Sequence, residues 1–286
     1  MKLTGLKTYL ESKLKPSTIK RYLYDVERFI IYFSLAQNNP ELASYSDILN
    51  YLKTLQESKM NGRSVTRSLM AIKQYYSYLI TTGVRKDHPC KDLYLRNSKH
   101  KSLPVLNLLK EQELEELLKK RKDHYKEQTT RNKLIVSFLI YQGLTAVELQ
   151  AIKWEDLKLE KGSIYIPSGS KSNARELGLK ANQIHLIYQF ANQYSKGEIP
   201  SKGNVLNVNY DVIKVVLRHY KRIGISKPIT TVLIRSSVIT NWLKSGLDLR
   251  TVQYMAGHKY ISATERYEQT KLEELKASID KFHPLK

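Results

Sequence analysis

Three residues near the end of this 286-residue chain form an ordered set: Arg235, then His258 in the pair Gly257-His258, then Tyr267 nine positions later. Together they suit the chemistry of a phosphodiester. The planar fork of an arginine can hold two phosphate oxygens at once. A histidine, titrating near neutrality, can donate a hydrogen bond to a phosphate or handle a proton. A tyrosine hydroxyl can attack phosphorus, but a phenol ordinarily titrates near ~10 and needs help at neutral pH. Charge accumulating on the non-bridging oxygens in the transition state must then be met by fixed donors. Such a set cuts DNA without water or metal. Singly, each residue has an ordinary reading: Tyr267 is one of 20 tyrosines, His258 a helix-start residue after Gly257, and Arg235 a surface cation.

Positioning these groups requires a framework, and the chain reads as mainly α. In residues 1–95, Ser17-Thr18 can cap a helix in which Ile19, Tyr22, Leu23, Val26, Phe29, Ile30 and Phe33 recur at three- and four-residue spacing. Its other face carries Lys20, Arg21 and Arg28. Ser46 opens a second helix with Ile48, Leu49, Leu52 and Leu55. Ser64 opens a third with Leu69, Ile72, Tyr75, Tyr76 and Leu79, ending near Gly83, with Arg63, Arg67 and Lys73 on its polar side. Residues 96–105 are polar and basic without apolar period, and read as a linker.

The second domain, 106–286, opens with a helix whose acidic first turn begins at Glu111. Another helix runs through 134–141 to Gly143. Residues 157–167 suggest two short strands, 168–173 their turn to the next strand, and 176–179 that third strand, making a small antiparallel sheet. From Gln183 to Phe282 the spacing is helical again. The tail carries an apolar stripe, Leu272, Leu275, Ile279 and Phe282.

The charge balance names the partner class. Forty-eight Lys and Arg against 27 Asp and Glu give a net +21, an excess that attracts a polyanion through counterion release and steering. The basic residues lie along the whole chain, which favours a clamp over a tethered arm. Three basic helix faces in the first domain make double-stranded DNA the expected partner. No apolar run approaches the roughly 18 residues needed to cross a bilayer, and the N-terminus has no h-region of signal-peptide length. A cytoplasmic, DNA-associated protein is expected. The single Cys90 excludes an internal disulfide and a Cys-based zinc site. There is no glycine-rich phosphate loop of the usual spacing and no paired histidine ligand spacing, so no cofactor is expected.

The order of these motifs resembles the tyrosine site-specific recombinases and phage-type integrases, over nearly the whole chain. Residues 18–33 and 67–79, with Gly83 and Pro89, look like that family's helical core-binding domain. Residues 143–149, Gly-Leu-Thr-Ala-Val-Glu-Leu, fall where its first catalytic arginine motif lies. Arg235-Ser-Ser-Val-Ile-Thr240, Gly246–Gln253, Gly257-His258 and Tyr267 follow in its order and spacing. The resemblance implies that Tyr267 attacks the scissile phosphate to give a 3′-phosphotyrosine and a free 5′ hydroxyl. It also implies a general acid on the turn between the second and third strands, where Lys171 is the best match and Arg175 a second candidate for phosphate contact. It implies a terminal helix that docks on a neighbouring subunit and helps assemble a tetramer on two DNA sites. The stripe's other reading is packing on its own domain.

Two positions depart from that pattern. Thr145 stands where the family has its first catalytic arginine, and Val232 where it has a His or Lys three residues before the second. Threonine can donate one neutral hydrogen bond but cannot form a bidentate ionic clamp, and valine can do neither. Another cation, such as Arg131, Arg175 or Lys153, occupies the vacant space, or the chain is a weakened or inactive relative that binds DNA as an accessory factor.

Overall fold

The computed structural model describes residues 3–95, 108–121, 123, 126–194, 200–222 and 227–268. The chain divides into two compact units, Met1–His100 and Lys101–Lys286. The stretch read as a linker, 96–105, and the apolar stripe from Leu272 to Phe282 lie outside the described residues.

Among its described residues the first unit contains four α-helices: α1 (Thr4–Glu11), α2 (Pro16–Leu35), α3 (Tyr45–Glu57) and α4 (Gly62–Thr81). Their starts are set by local chemistry a residue or two from where sequence spacing put them. Pro16 opens α2 with its fixed φ at the first helical position, so Ser17 and Thr18 lie inside the first turn and do not cap it. Ser44, not Ser46, caps α3 in a reciprocal box with Asp47, and Asn61 caps α4 ahead of Ser64. The short α1 had no periodic signal strong enough to find. Packing centres on Phe29 of α2, ringed by Phe33, Tyr51, Tyr75 and Tyr76 with centroids 4.8–6.3 Å away. Edge and tilted contacts of this kind fix ring positions beyond their area burial.

The second unit is built around α6 (Lys126–Tyr141), whose residues Leu134, Ile135, Val136, Phe138, Leu139 and Ile140 are all buried. A helix apolar on every side is a central helix. Around it lie α5 (Glu111–Lys119), α7 (Ala146–Ala151), α8 (Ala181–Tyr194), α9 (Tyr210–Arg222), α10 (Thr231–Lys244) and α11 (Leu249–Ala256). A three-stranded antiparallel sheet in the order β1 (Leu157–Lys158), β2 (Ser163–Ile166), β3 (Arg175–Gly178) adjoins them. Leu157 pairs with Ile164, and Ile166 with Arg175, which places Arg175 at the first position of β3 and opposite the end of β2. The expected strands and turn are therefore present, with β3 beginning one residue earlier than the spacing suggested. Among the described residues no helix is long and apolar enough to cross a membrane.

Candidate active site

Arg235 sits in the first half of α10, which Thr230 caps by accepting from the Leu233 N–H at 3.0 Å. Half of the helix is buried, and only 12% of the Arg235 side chain is exposed. Its Nη1 and Nη2 donate to the carbonyl oxygens of Gly143 and Ala256. Gly143 follows the end of α6 and Ala256 is the last residue of α11. The guanidinium thus satisfies carbonyls at two helix C-termini, where a cation is favoured. Burial holds its pKa below the usual arginine value, with Glu148 opposing the shift.

Thr145 has its own structural task. It caps α7, accepting from the Glu148 N–H at 3.2 Å, while the Glu148 carboxylate accepts from the Thr145 backbone N–H at 2.8 Å and hydroxyl at 2.9 Å. The carboxylate it anchors is buried and is the hub of the site. Glu148 Oε1 accepts from Arg175 Nη1 at 2.7 Å, and Glu148 Oε2 lies 3.8 Å from Arg235. Burial alone would raise the Glu148 pKa, but the Arg175 hydrogen bond and charge outweigh it and bring it down to about 2.

Of the cations considered for the vacant position, Arg175 reaches this cluster. Lys153 pairs with Glu155 at the surface, and Arg131 lies 3.4 Å from the Asn132 amide oxygen. A direct contact of Arg175 with a DNA phosphate, the role the resemblance offers it, would need the side chain at the surface. Instead it is 2% exposed and its side chain is enclosed, because a strand's first residue here turns inward against α7 and Gly257. Its Nε and Nη2 are buried without a hydrogen-bond partner among the described residues.

Gly257-His258 closes α11 and does not open the next helix. Gly257 is the left-handed C-cap at φ +66, and His258 follows it with its N–H donating to Gln253 O at 3.0 Å. The His258 ring nitrogen Nδ1 is 2.8 Å from Thr264 Oγ1, which orients the imidazole. Burial, then the neighbouring Arg235 and Arg175 charges, push the His258 pKa down to about 4, so the ring is neutral at physiological pH. Residues 262–268 are helical, and place the half-buried Tyr267 ring nearly parallel to His258, centroids 6.0 Å apart and planes at 12°. Tyr267 also packs against the small core of Ile239, Leu243, Val252 and Ala256.

The turn between β2 and β3 is tied to the same place. Asn173 N–H donates to Gly257 O at 2.9 Å, and Ser172 forms a β-bridge with His258. Lys171, next in sequence to Ser172, is exposed. Val232 is 69% exposed in the first turn of α10. Four of the predicted site residues, Arg235, His258, Tyr267 and Arg175, therefore lie in one cluster, with Lys171 on a loop tethered to it. Sequence reasoning missed Glu148 and Thr264. The first was findable, because Thr145-x-x-Glu148 is a capping-box pattern; a threonine three residues before a tyrosine carries no such signal.

In the first unit, Lys20, Arg21 and Arg63 are exposed, and Arg28 is half-buried 5.9 Å from the Tyr24 ring. Two expected surface cations are engaged internally. Arg67 forms a fork with the buried Asp25 carboxylate at 2.7 and 3.2 Å, and Lys73 donates to Lys91 O at 2.7 Å beside the Tyr94 ring.

Comparison with known proteins decides the family. Residues 107–274 match the phage integrase family, and residues 5–83 match the phage integrase N-terminal SAM-like domain. The chain belongs to the phage integrase family. This integrase-family chain is 28% identical over 289 residues to the tyrosine recombinase XerD of Listeria monocytogenes serotype 4b (strain F2365), covering 96% of this chain and 95% of that protein. It is 25% identical over 287 residues to the tyrosine recombinase XerC of Oceanobacillus iheyensis, covering 96% and 92%. Its fold is shared with the XerH site-specific recombinase bound to palindromic difH substrate (TM-score 0.69, 20% identity, 92% and 80% covered). It is shared also with the Tn1549 transposon integrase in complex with transposon right end DNA (TM-score 0.63, 16% identity, 98% of each chain).

Proposed function

We propose that this protein is a site-specific DNA recombinase that cuts and rejoins duplex DNA through a 3′-phosphotyrosine intermediate. The observation that carries the reading is the convergence of Arg235, His258 and Tyr267, from three successive segments, with the Tyr267 ring lying on His258. Arg235 holds the non-bridging oxygens of the scissile phosphate; its half-buried fork has N–H groups left after the two carbonyls are served. Tyr267 Oη forms a bond to phosphorus, and the phenolic proton passes to the neutral His258 ring. The bond from phosphorus to the 5′ oxygen breaks, and the leaving oxygen takes a proton from the Lys171 ammonium, carried on the turn tethered to His258. A 5′ hydroxyl from the partner strand reverses the steps, so no bond energy is lost to water. Assembly as a tetramer on two DNA sites, through the stripe from Leu272 to Phe282, is carried over from the family resemblance.

A second reading is favoured by Thr145 and Val232: a DNA-binding accessory that has lost cleavage. One experiment separates the two. Duplexes selected from a randomised pool for tight, salt-sensitive binding are resynthesised with nicks that trap any covalent link. The recombinase reading expects a protein–DNA adduct that Tyr267→Phe abolishes while binding persists. Absence of an adduct with the unaltered protein, or its survival in Tyr267→Phe, sinks it.

A further inference from the structure

We infer that Arg175 is the positioning residue that keeps this site cationic where Thr145 supplies no charge: it neutralises Glu148 and so frees Arg235 for the substrate anion. The inference rests on reading the pocket as a phosphate site. Glu148 is fixed by the Thr145 cap and cannot be moved away from Arg235 without breaking α7's start. A buried carboxylate 3.8 Å from Arg235 would take that guanidinium as its counter-ion and leave little charge for a phosphate. Arg175 prevents this by the shorter bond, 2.7 Å to the opposite carboxylate oxygen. Two guanidinium groups against one carboxylate leave one positive charge over. Without Arg175 none remains.

Two further features are unexplained if Arg175 is only a strand residue that happens to be buried. Its Nε and Nη2 have no partner and no solvent, an expensive state for a guanidinium that ordinary packing avoids. Their positive charge acts on Arg235 and His258, so an anion held by Arg235 would lie within its field. The chain also leaves space for the group, since a Cβ at Gly257 would overlap Arg175 Nη1 and come within 2.9 Å of its Cζ. The glycine preceding His258 is thus a cradle for the arginine that Thr145 makes necessary.

Charge balance gives a test that a structural role would fail. Inorganic phosphate is titrated into the full chain and read at the His258 ring by NMR, so that binding elsewhere on the basic surface is not counted. Adduct formation on the nicked duplex is measured in parallel, with tryptophan-detected melting as the folding check. Arg175→Gln should weaken phosphate binding at least tenfold and slow adduct formation by about a hundredfold, the loss typical of one transition-state donor. Glu148→Gln with Arg175→Gln removes one charge of each sign and should restore phosphate affinity to within a few-fold of the unaltered chain. Glu148→Gln alone should strengthen phosphate binding, whereas a purely structural pair predicts weakening. If Arg175→Gln does not fold, this single variant decides the matter by its sign. Phosphate affinity unchanged in Arg175→Gln, or a double variant no better than Arg175→Gln, overturns the inference. If the unaltered chain forms no adduct while phosphate binding follows the expected order, the charge role stands and the recombinase reading falls. If adducts form equally with and without Arg175, the reverse holds.

Discussion

Replacing Gly257 with alanine probes the centre of the site at a position whose added Cβ would meet Arg175 and Asn173. Two costs are separable. The backbone lies at φ +66, where a side chain costs about 1–2 kcal/mol. The added Cβ would also overlap Arg175 Nη1 and stand 2.9 Å from Cζ and 3.1 Å from Asn173 O. A side-chain end can usually swing aside, but Arg175 is enclosed and held by Glu148, so relief means a strained core or a displaced guanidinium. Overpacking of a close core costs roughly 1–3 kcal/mol. The sum is about 2–5 kcal/mol, on the order of 10 °C in melting temperature for a unit of this size. Gly246 supplies the control: its φ is +92 with nothing within 4 Å of an added Cβ, so Gly246→Ala carries the backbone cost alone. Since φ +92 lies further from the left-handed basin than φ +66, the control overstates that cost if anything. Both tryptophans, Trp154 and Trp242, belong to the second unit, so their fluorescence reports its melting without interference from the first. A Gly257→Ala melting point no lower than that of Gly246→Ala would refute the packing of Arg175 against this glycine.

Acid should weaken the second unit through two groups of known direction. Glu148 is held at about 2 against an ordinary 4.5, so its contribution is complete above pH 4.5 and disappears as pH falls towards 2; the difference is worth on the order of 3 kcal/mol, and Glu148→Gln should flatten urea-denaturation stability over that window. His258 is held at about 4 against 6.5, so protonation of the unfolded chain erodes stability between pH 6.5 and 4, a slope that His258→Gln should remove. In the first unit, Arg67→Ala strands the buried Asp25 carboxylate and should cost roughly 3–5 kcal/mol in a far-UV circular dichroism melt, with the tryptophan signal unmoved. Lys20→Ala and Arg21→Ala, both at exposed positions, should instead leave melting unchanged and each reduce the salt dependence of DNA binding by about one ion; a loss of stability without that change would remove them from the interface.

The parts of this protein legible in its sequence are those fixed by local pattern. Periodicity marks α2, α3 and α4, a near-continuous apolar run marks α6, short apolar segments between turn residues mark the strands, and the spacing from Arg235 to Tyr267 marks residues that the fold brings together. What stayed hidden depends on distances between segments far apart in the chain. Arg175 reads as a basic residue after a polar turn, and nothing nearby signals that it points inward, because its partner Glu148 lies 27 residues earlier. Arg67 misled for the same reason: a basic helix face looks solvated until Asp25, 42 residues away, is found beneath it. Judged by charge alone, Thr145 is a loss. As the cap of α7 it holds Glu148 in place, and that carboxylate is the reason the site needs Arg175 at all. Thr145 and the buried Arg175 are therefore parts of a single arrangement, joined through Glu148. A lone Thr145→Arg substitution would break the cap and set a third guanidinium beside two others, so it should lower stability and not improve the site unless Arg175 is removed with it.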